Sequence, residues 1–515
     1  MILTSTIVAP ATIPGSGAIS IIRMSGGDTF AVLDQVVKFR NGTASASAGY
    51  TLKYGVIEGL DDVLVSIFRA PHSYTGEDSA EISCHASAYI VSEITNRLME
   101  AGAVPAEAGE FTRRAFVNGR MDLSQAEAVA DLIASSDEAS HHVALHQLRG
   151  GISSELQELR SKLLEVTSLM ELELDFSEEE VEFADRAQLS ALIDSALAHI
   201  KRLTESFRLG NAIKNGVPVA IVGATNTGKS TLLNSLLGEE RAIVSSVAGT
   251  TRDTIEELFN IDGTSFRFID TAGIRETSDE IETIGIDRTF EKLLLADVVI
   301  AVLDVTSPAS VIESELRTII SKITLSKQHL VVVLNKIDKF GNGGSKQLFV
   351  PVMDEIDKLG NGGLSDDLRD VLSSSFSGHE NAKILENEGI LVVNKIVTEL
   401  NNSVKYAENK VDIVMMSAKT GFGVDSLKKV LSDCQKSRIA DSGTATLVTN
   451  ARHYNALCSA SRALKLAASG IASGTSGDLV SQDLREALYH LGSITGSITT
   501  DEVLGNIFSK FCIGK

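Results

Sequence analysis

VPVAIVGATNTGKSTLLNSLLGEERAIVSSVAGTTRDTIEELFNIDGTSFRFIDTAGIR, residues 217–275, carries three phosphate-and-metal elements in one run, and the rest of the chain is organised around it. A short apolar strand, Val219 to Val222, breaks at Gly223, and the turn from Gly223 to Ser230 opens a helix near Thr231. This is G-x-x-x-x-G-K-S in the strand-to-helix context the motif requires. The glycines let successive backbone N–H groups, through Asn226, Thr227 and Gly228, face a polyphosphate, and the helix N-terminus adds partial positive charge. Lys229 reaches the β/γ-phosphates and the Ser230 hydroxyl ligates Mg²⁺, with Thr231 next in the run. A second buried-strand pattern, Phe266 to Ile269, ends in Asp270-Thr271-Ala272-Gly273. Asp270 is placed to hold Mg²⁺ through water, and the Gly273 N–H to face a γ-phosphate. Between them, Gly249-Thr250-Thr251-Arg252-Asp253 offers a threonine as a further Mg²⁺ ligand. The pattern predicts a site that senses the third phosphate.

The base follows from two later loops. Asn335-Lys336-Ile337-Asp338 comes after the strand pattern Leu330 to Leu334. A carboxylate there accepts both the ring N–H and the exocyclic amino hydrogens of guanine, a match adenine does not supply. The Lys336 stem lies along the base and Asn335 braces the loop. Ser417-Ala418-Lys419, after the strand Ile413 to Met416, is the complementary loop, whose backbone N–H reaches the guanine O6. Asn394-Lys395 lacks the aspartate and is set aside as a surface or core coincidence. The nucleotide is therefore GTP. In many GTPases a glutamine follows the Asp-x-x-Gly element and orients water; here Ile274 holds that place. Asn226 and the backbone of Ser245 to Thr250 can cage a monovalent cation beside the phosphates, doing electrostatically what an arginine finger does. Glu282 is the carboxylate expected to orient the water, with an exposed switch-region charge as the alternative. Arg275 reads as structural or switch-coupling.

A chain of 515 residues is too long for one core and suggests roughly three domains. It is 43% hydrophobic and 5% aromatic, and none of its apolar runs approaches the roughly 18 residues a membrane helix needs. The first residues, MILTSTIVAPATI, have neither a basic nor an Arg-rich targeting character. The expectation is a cytoplasmic protein without membrane association. A formal net charge of −21 argues against broad adhesion to phosphate backbones, so a nucleic acid must meet a local basic patch or be presented by a partner. The acidic run from Asp175 to Glu182 reads as a solvated loop or helix end rather than a metal site. The cysteines Cys84, Cys434, Cys458 and Cys512 lack metal-ligand spacing.

Residues 1–119 mix β-type runs (Ala18 to Arg23, Asp62 to Arg69) with a helix around Ala88 to Met99, an α+β module. Asp122-Leu-Ser-Gln125 is a capping box opening a helix with Leu123, Ala126, Ala130 and Ile133 on one face. Leu156, Leu159, Leu163, Val166 and Met170 continue the helical spacing, as does Leu189 to Phe207. Buried strands alternating with helices then mark a parallel α/β domain over 211–440, including a strand Val298 to Leu303. A long segment at about 340–410 far exceeds the typical roughly 4–6-residue connection and reads as a surface insertion. The helical habit returns at Arg452 to Ala468 and Asp483 to Leu491, so residues 120–210 and 441–515 form one discontinuous helical domain. The predicted fold is an α/β P-loop GTPase domain inserted in an all-α domain, preceded by an α+β domain.

The chain ends Phe511-Cys512-Ile513-Gly514-Lys515. A prenylation box fits poorly, since Gly514 is not aliphatic and no polybasic run precedes it. The other reading is a thiol on a short tail, with Lys515 beside it. Together the motifs resemble the MnmE (TrmE) tRNA-modification GTPases over nearly the whole chain; Gly249 to Asp253 followed by the tail is the specific part. The resemblance implies potassium-dependent GTPases whose nucleotide domains dimerise across the switch regions. It implies a homodimer that joins an FAD-containing MnmG (GidA)-type protein in a heterotetramer to install an aminomethyl-type group on C5 of the wobble uridine of certain tRNAs. By motif, Asn226 and main-chain oxygens of Ser245, Val247 and Thr250 are the implied K⁺ ligands; Ser230 and Thr251 hold Mg²⁺, and Glu282 is the catalytic switch carboxylate. The N-terminal module is similar to folate-binding folds. There Arg23, Glu81, Arg120 and Lys515 are implied contacts of a 5-formyl- or 5,10-methylene-tetrahydrofolate, with Cys512 near the one-carbon donor. Arg120 stands where lysine is expected in many members. The rival expectation, from another class, is a GTP-switched RNA or ribosome assembly factor without modification chemistry.

Overall fold

A computed structural model describes residues 5–175, 186–239, 257–269, 293, 296–325, 328–340, 392–393, 395–397, 411–442, 446–498, 501–509, 511 and 514. The chain divides into two compact units. One comprises Met1–Ser135, His141–Phe207 and Thr446–Lys515; the other comprises Ser136–Ser140 and Arg208–Ala445.

The first unit starts with β1 (Ile7–Pro10), β2 (Ile19–Ser25), α1 (Thr29–Val36), β3 (Lys38–Phe39), β4 (Thr51–Ile57), β5 (Asp61–Phe68), β6 (Ser79–His85), α2 (Ala88–Glu100), β7 (Val104–Pro105) and α3 (Glu110–Val117). The strands form a sheet in the order β3-β4-β5-β6-β2-β1-β7. Period-2 alternation explains β5: Val63, Val65 and Ile67 point into a core shared with Ile22, Met24, Ile82 and, from α2, Ile94 and Leu98. Antiparallel pairing sets Arg23 of β2 opposite Glu81 of β6.

Four helices follow: α4 (Leu123–Ala134), α5 (Glu138–Leu148), α6 (Gly151–Asp175) and α7 (Arg186–Asn215). The capping box forms as read: the Asp122 side chain accepts from the Gln125 N–H, and the Gln125 side chain accepts from the Asp122 N–H, both at 2.9 Å. The expected apolar face of α4 needs correction. Leu123 and Ala126 are buried, but Ile133 is 49% exposed, and Glu127 is buried instead. The reason lies in the helix Ala451–Ser473, where Arg452 and His453 pair with the Glu127 carboxylate. On α6 the predicted stripe Leu156, Leu159, Leu163, Val166 and Met170 is buried throughout.

The second unit contains β8 (Val217–Val222), α8 (Lys229–Glu239), β9 (Glu257–Ile261), β10 (Thr264–Phe268), β11 (Val298–Asp304), α9 (Ala309–Lys322), β12 (His329–Asn335), β13 (Asp412–Met415) and α10 (Val424–Ser442). The sheet order is β13-β12-β11-β8-β10-β9, parallel from β13 to β10. The sequence reading missed β9, which pairs antiparallel with β10. Its signal was Asp262-Gly263, both at positive φ, the two-residue hairpin turn that matches strand twist. β11 and β12 are buried along nearly their full lengths, which is why they read as continuous apolar runs. Within the presumed surface segment at 340–410, Val393, Ile396 and Val397 are buried in the core on one side of this sheet, so that segment is not surface throughout. Apolar spacing at three and four residues is the physical cause, since it gives a helix one inward face.

The chain closes with α11 (Ala451–Ser473), α12 (Gly477–Thr495) and α13 (Asp501–Phe508), returning to the first unit. There, residues between Ile152 and Leu203 share one core with residues between Val448 and Ile494. Phe508 packs with Leu123 and Ala126, and Phe511 lies against them. Among the described residues, no helix is long and apolar enough to cross a membrane.

Candidate functional site: a phosphate loop with two base-reading loops

The site lies at the carboxyl ends of neighbouring parallel strands, where an open α/β sheet places ligands. β8 ends at Val222, and the loop from Gly223 to Gly228 delivers the chain to α8 at Lys229. Gly223, Asn226 and Gly228 all take positive φ. A Cβ on Gly223 would lie 2.2 Å from the Val302 carbonyl oxygen of β11, and one on Gly228 would lie 2.2 Å from Asn335 Nδ2. Only glycine fits at these two places, which keeps the loop's backbone donors uncovered by side chains. With the N-terminus of an eleven-residue helix behind it, this cradle fits a polyphosphate.

Lys229 folds over the loop, its Nζ donating to the carbonyls of Gly223 (2.8 Å) and Ala224 (2.7 Å). Burial lowers the pKa of this ammonium, and Glu315 of α9 partly opposes that. Burial in turn raises the Glu315 pKa against the pull of Lys229. Thr227 is buried, its hydroxyl donating to the Ala224 carbonyl at 3.0 Å. Asn226 and Thr231 are exposed, and Ser230 is half-buried.

The two loops expected to read the base are tied to the glycine-rich loop. Asn335, 2% exposed, donates through Nδ2 to the Thr227 carbonyl (2.7 Å) and accepts through Oδ1 from the Ala418 N–H (2.9 Å). One side chain therefore braces three loops, and the Ala418 donor is used within the protein. Asp338 Oδ1 accepts from the Ser417 hydroxyl at 2.6 Å, which fixes the carboxylate between the two specificity loops. Lys336, at φ 70°, donates to the Asn226 carbonyl and to Asp304 Oδ2. Ile337 is buried beneath the loop and Lys419 is exposed beside it. Sequence reasoning missed Asp304 and Glu315. Asp304 was findable as the polar residue ending the apolar run of β11; nothing local marks Glu315.

The other predicted contacts sit in the first unit. Arg23 forms a forked pair with Glu81 Oε1 (Nε 3.0 Å, Nη2 2.8 Å), and its Nη1 donates to the Gly514 carbonyl at 3.4 Å. Its guanidinium carbon lies 5.6 Å from the Tyr74 ring centroid and 5.7 Å from that of Phe111. A Cβ on Gly514 would strike the Pro10 carbonyl at 2.2 Å, so this residue packs against β1 as only a glycine can. Arg120 is exposed, its stem 3.2 Å from where a Cβ on Gly76 would lie. Ser245, Val247, Thr250, Thr251, Asp270, Thr271, Ala272, Gly273, Glu282, Cys512 and Lys515 lie outside the described residues.

A glycine-gated phosphate cradle, a lysine over it, and an Asn-Lys-x-Asp loop braced against Ser-Ala-Lys at the edge of a parallel sheet define a P-loop GTP hydrolase. Residues 6–120 match the family model described as "GTP-binding protein TrmE N-terminus", and residues 123–512 match the "MnmE helical domain". The protein named tRNA modification GTPase MnmE from Parabacteroides distasonis is 44% identical over 519 residues, covering 99% of this chain and 100% of that protein. Proteins of the same name from Christiangramia forsetii and Bacteroides thetaiotaomicron are each 45% identical, with coverage of 100% of both chains and 99% of both chains, respectively. The chain belongs to the MnmE family.

Proposed function

We propose that this protein is a potassium-dependent GTPase that acts with an FAD-containing MnmG-type partner in a heterotetramer. The pair modifies C5 of the wobble uridine of certain tRNAs with an aminomethyl-type group. The protein's own residues bind and orient the nucleotide. The loop N–H groups and Lys229 hold the phosphates, Asp338 reads guanine, and Ser230 with Thr251 supplies the oxygens for Mg²⁺. Asn226, with main-chain oxygens of Ser245, Val247 and Thr250, forms the K⁺ site, and Glu282 orients the attacking water. K⁺ and Mg²⁺, when bound, supply positive charge beside the phosphates. The exposed tip position of Asn226, held at φ 62° with its carbonyl pinned by Lys336, supports this role: its side chain faces outward from a fixed backbone. The GTPase unit is an insertion in the helical domain, a reading supported by the core that residues before and after it share. Homodimerisation brings two nucleotide domains together across their switch regions.

The observation that carries the modification chemistry is the Gly514 carbonyl accepting from Arg23. It sets Gly514 beside the Arg23–Glu81 pair, and Cys512 is two residues away along the sequence. A guanidinium flanked by a carboxylate and two aromatic rings fits a folate, whose ring is flat and whose tail is anionic. Arg23, Glu81, Arg120 and Lys515 hold 5-formyl- or 5,10-methylene-tetrahydrofolate, and Cys512 works next to its one-carbon group. In a strain carrying Cys512→Ser, mass spectrometry of tRNA nucleosides should show loss of the modified uridine. The purified variant should still hydrolyse GTP, faster in K⁺ than in Na⁺. Normal modification in that strain overturns the proposal for the tail, and equal rates in the two salts overturn the cation site.

A further inference from the structure

Lys336 stands where the guanine loop and the phosphate loop meet. Its ammonium donates to the Asn226 carbonyl, 110 residues earlier in the chain, and to Asp304 Oδ2 at 2.6 Å. Asp304 ends β11 in register with Asn335 at the end of β12, so the parallel ladder delivers carboxylate and lysine side by side. The carboxylate is itself held: Oδ1 accepts from the Thr306 N–H (3.0 Å) and the Thr306 hydroxyl (2.6 Å), and the side chain is 16% exposed. Burial alone would raise the Asp304 pKa, but Lys336 and Thr306 carry it below the ordinary carboxylate value. A free lysine stem has rotamer entropy to lose, and a fixed counter-charge removes that freedom before nucleotide arrives.

We propose that Asp304 is a positioning residue for guanine nucleotide: by fixing Lys336 against the Asn226 carbonyl it locks the base-reading loop and the phosphate loop into one geometry. The role rests on the GTPase reading, in which the Lys336 stem lies along the base. Asp304 acts on the base-reading loop through Lys336, its hydrogen-bonded partner there, while its charge also helps raise the pKa of the neighbouring Glu315 carboxyl. Recognition of the base and placement of Asn226 then become one event.

Asp304→Asn keeps an acceptor for Thr306 and removes the charge facing Lys336. Binding of fluorescent GDP should weaken about tenfold, the scale of one charge-assisted hydrogen bond. The KM for GTP should rise in parallel, by a larger factor than kcat at saturation falls. A purely structural role would instead lower the melting temperature and leave that split unseen. The deciding measurement is a double-mutant cycle. Lys336→Met alone should weaken GDP binding, and adding Asp304→Asn in that background should do little more. Independent, multiplying losses overturn the proposal. Should Asp304→Asn fail to fold, Asp304→Glu, which keeps the charge but displaces it, carries the same cycle: a loss beside Lys336 and none in the Lys336→Met background. Failure of the unaltered protein to bind guanine nucleotide would overturn the GTPase reading itself, an outcome distinct from multiplying losses.

Discussion

Asn335→Ala tests whether one buried amide holds the nucleotide site together. The side chain makes two hydrogen bonds, to the Thr227 carbonyl and from the Ala418 N–H, and both of those residues are themselves buried. Truncation strands two backbone groups, each at about 1–3 kcal/mol where water does not replace the partner. A net loss of about 3 kcal/mol is expected, which in a unit of this size lowers the melting temperature by about 6–12 °C. Asn335→Asp is the sharper probe. It keeps the acceptor for Ala418 but turns an oxygen toward the Thr227 carbonyl, where Nδ2 now donates at 2.7 Å. Its loss should equal or exceed that of Ala despite the identical shape. The assay is thermal unfolding of purified protein with and without GDP, following the transition that GDP shifts, together with GDP affinity. A melting temperature within about 1 °C of the parent for both variants, with unchanged GDP affinity, refutes the bracing role.

The glycine cradle predicts that Gly228→Ala abolishes GTP binding and hydrolysis while circular dichroism stays unchanged, because its Cβ meets Asn335 Nδ2 and its φ of 102° disfavours a side chain; retained turnover would refute it. Glu127 has its pKa at about 2: burial would raise it, but His453 and Arg452 overcome that. Since the folded pKa is depressed, the carboxylate contributes about 3 kcal/mol above the unfolded value near 4.5, and this is lost as pH falls from there toward 2. Acid melting of the helical region should therefore be less steep in Glu127→Gln, and identical slopes would dismiss the pair. His329 behaves oppositely. Burial resists its charge, but Asp412, 2.7 Å from Nε2, and the nearby Cys434 sulfur lift it to about 9. Its contribution is complete below the unfolded value near 6.5 and lost as pH rises through 9, so His329→Gln should flatten the alkaline loss of stability between those limits.

The nucleotide chemistry was legible in the sequence because its parts are local. A glycine-rich turn between an apolar strand and a helix dictates the loop's backbone, and the Asn-Lys-x-Asp pattern lies within the four consecutive residues Asn335 to Asp338. The Asp122–Gln125 capping box, spanning one helical turn, formed as read for the same reason. The α6 stripe was equally plain, since five apolar residues at helical spacing leave one face to bury. The α4 face was not, because the burial of Glu127 depends on Arg452, 325 residues later. Likewise Arg23 meets Gly514 across 491 residues, and Asn335 meets Thr227 across 108.

Sequence by itself determined the loop types, the amphipathic helices and the identity of the base, all set by neighbours along the chain. Tertiary structure alone decided that β11 lies between β8 and β12. That order brings Asp304, Lys336 and Asn226 to one point, because lateral neighbours in a sheet are chosen by packing and connection rather than by any residue's own preference.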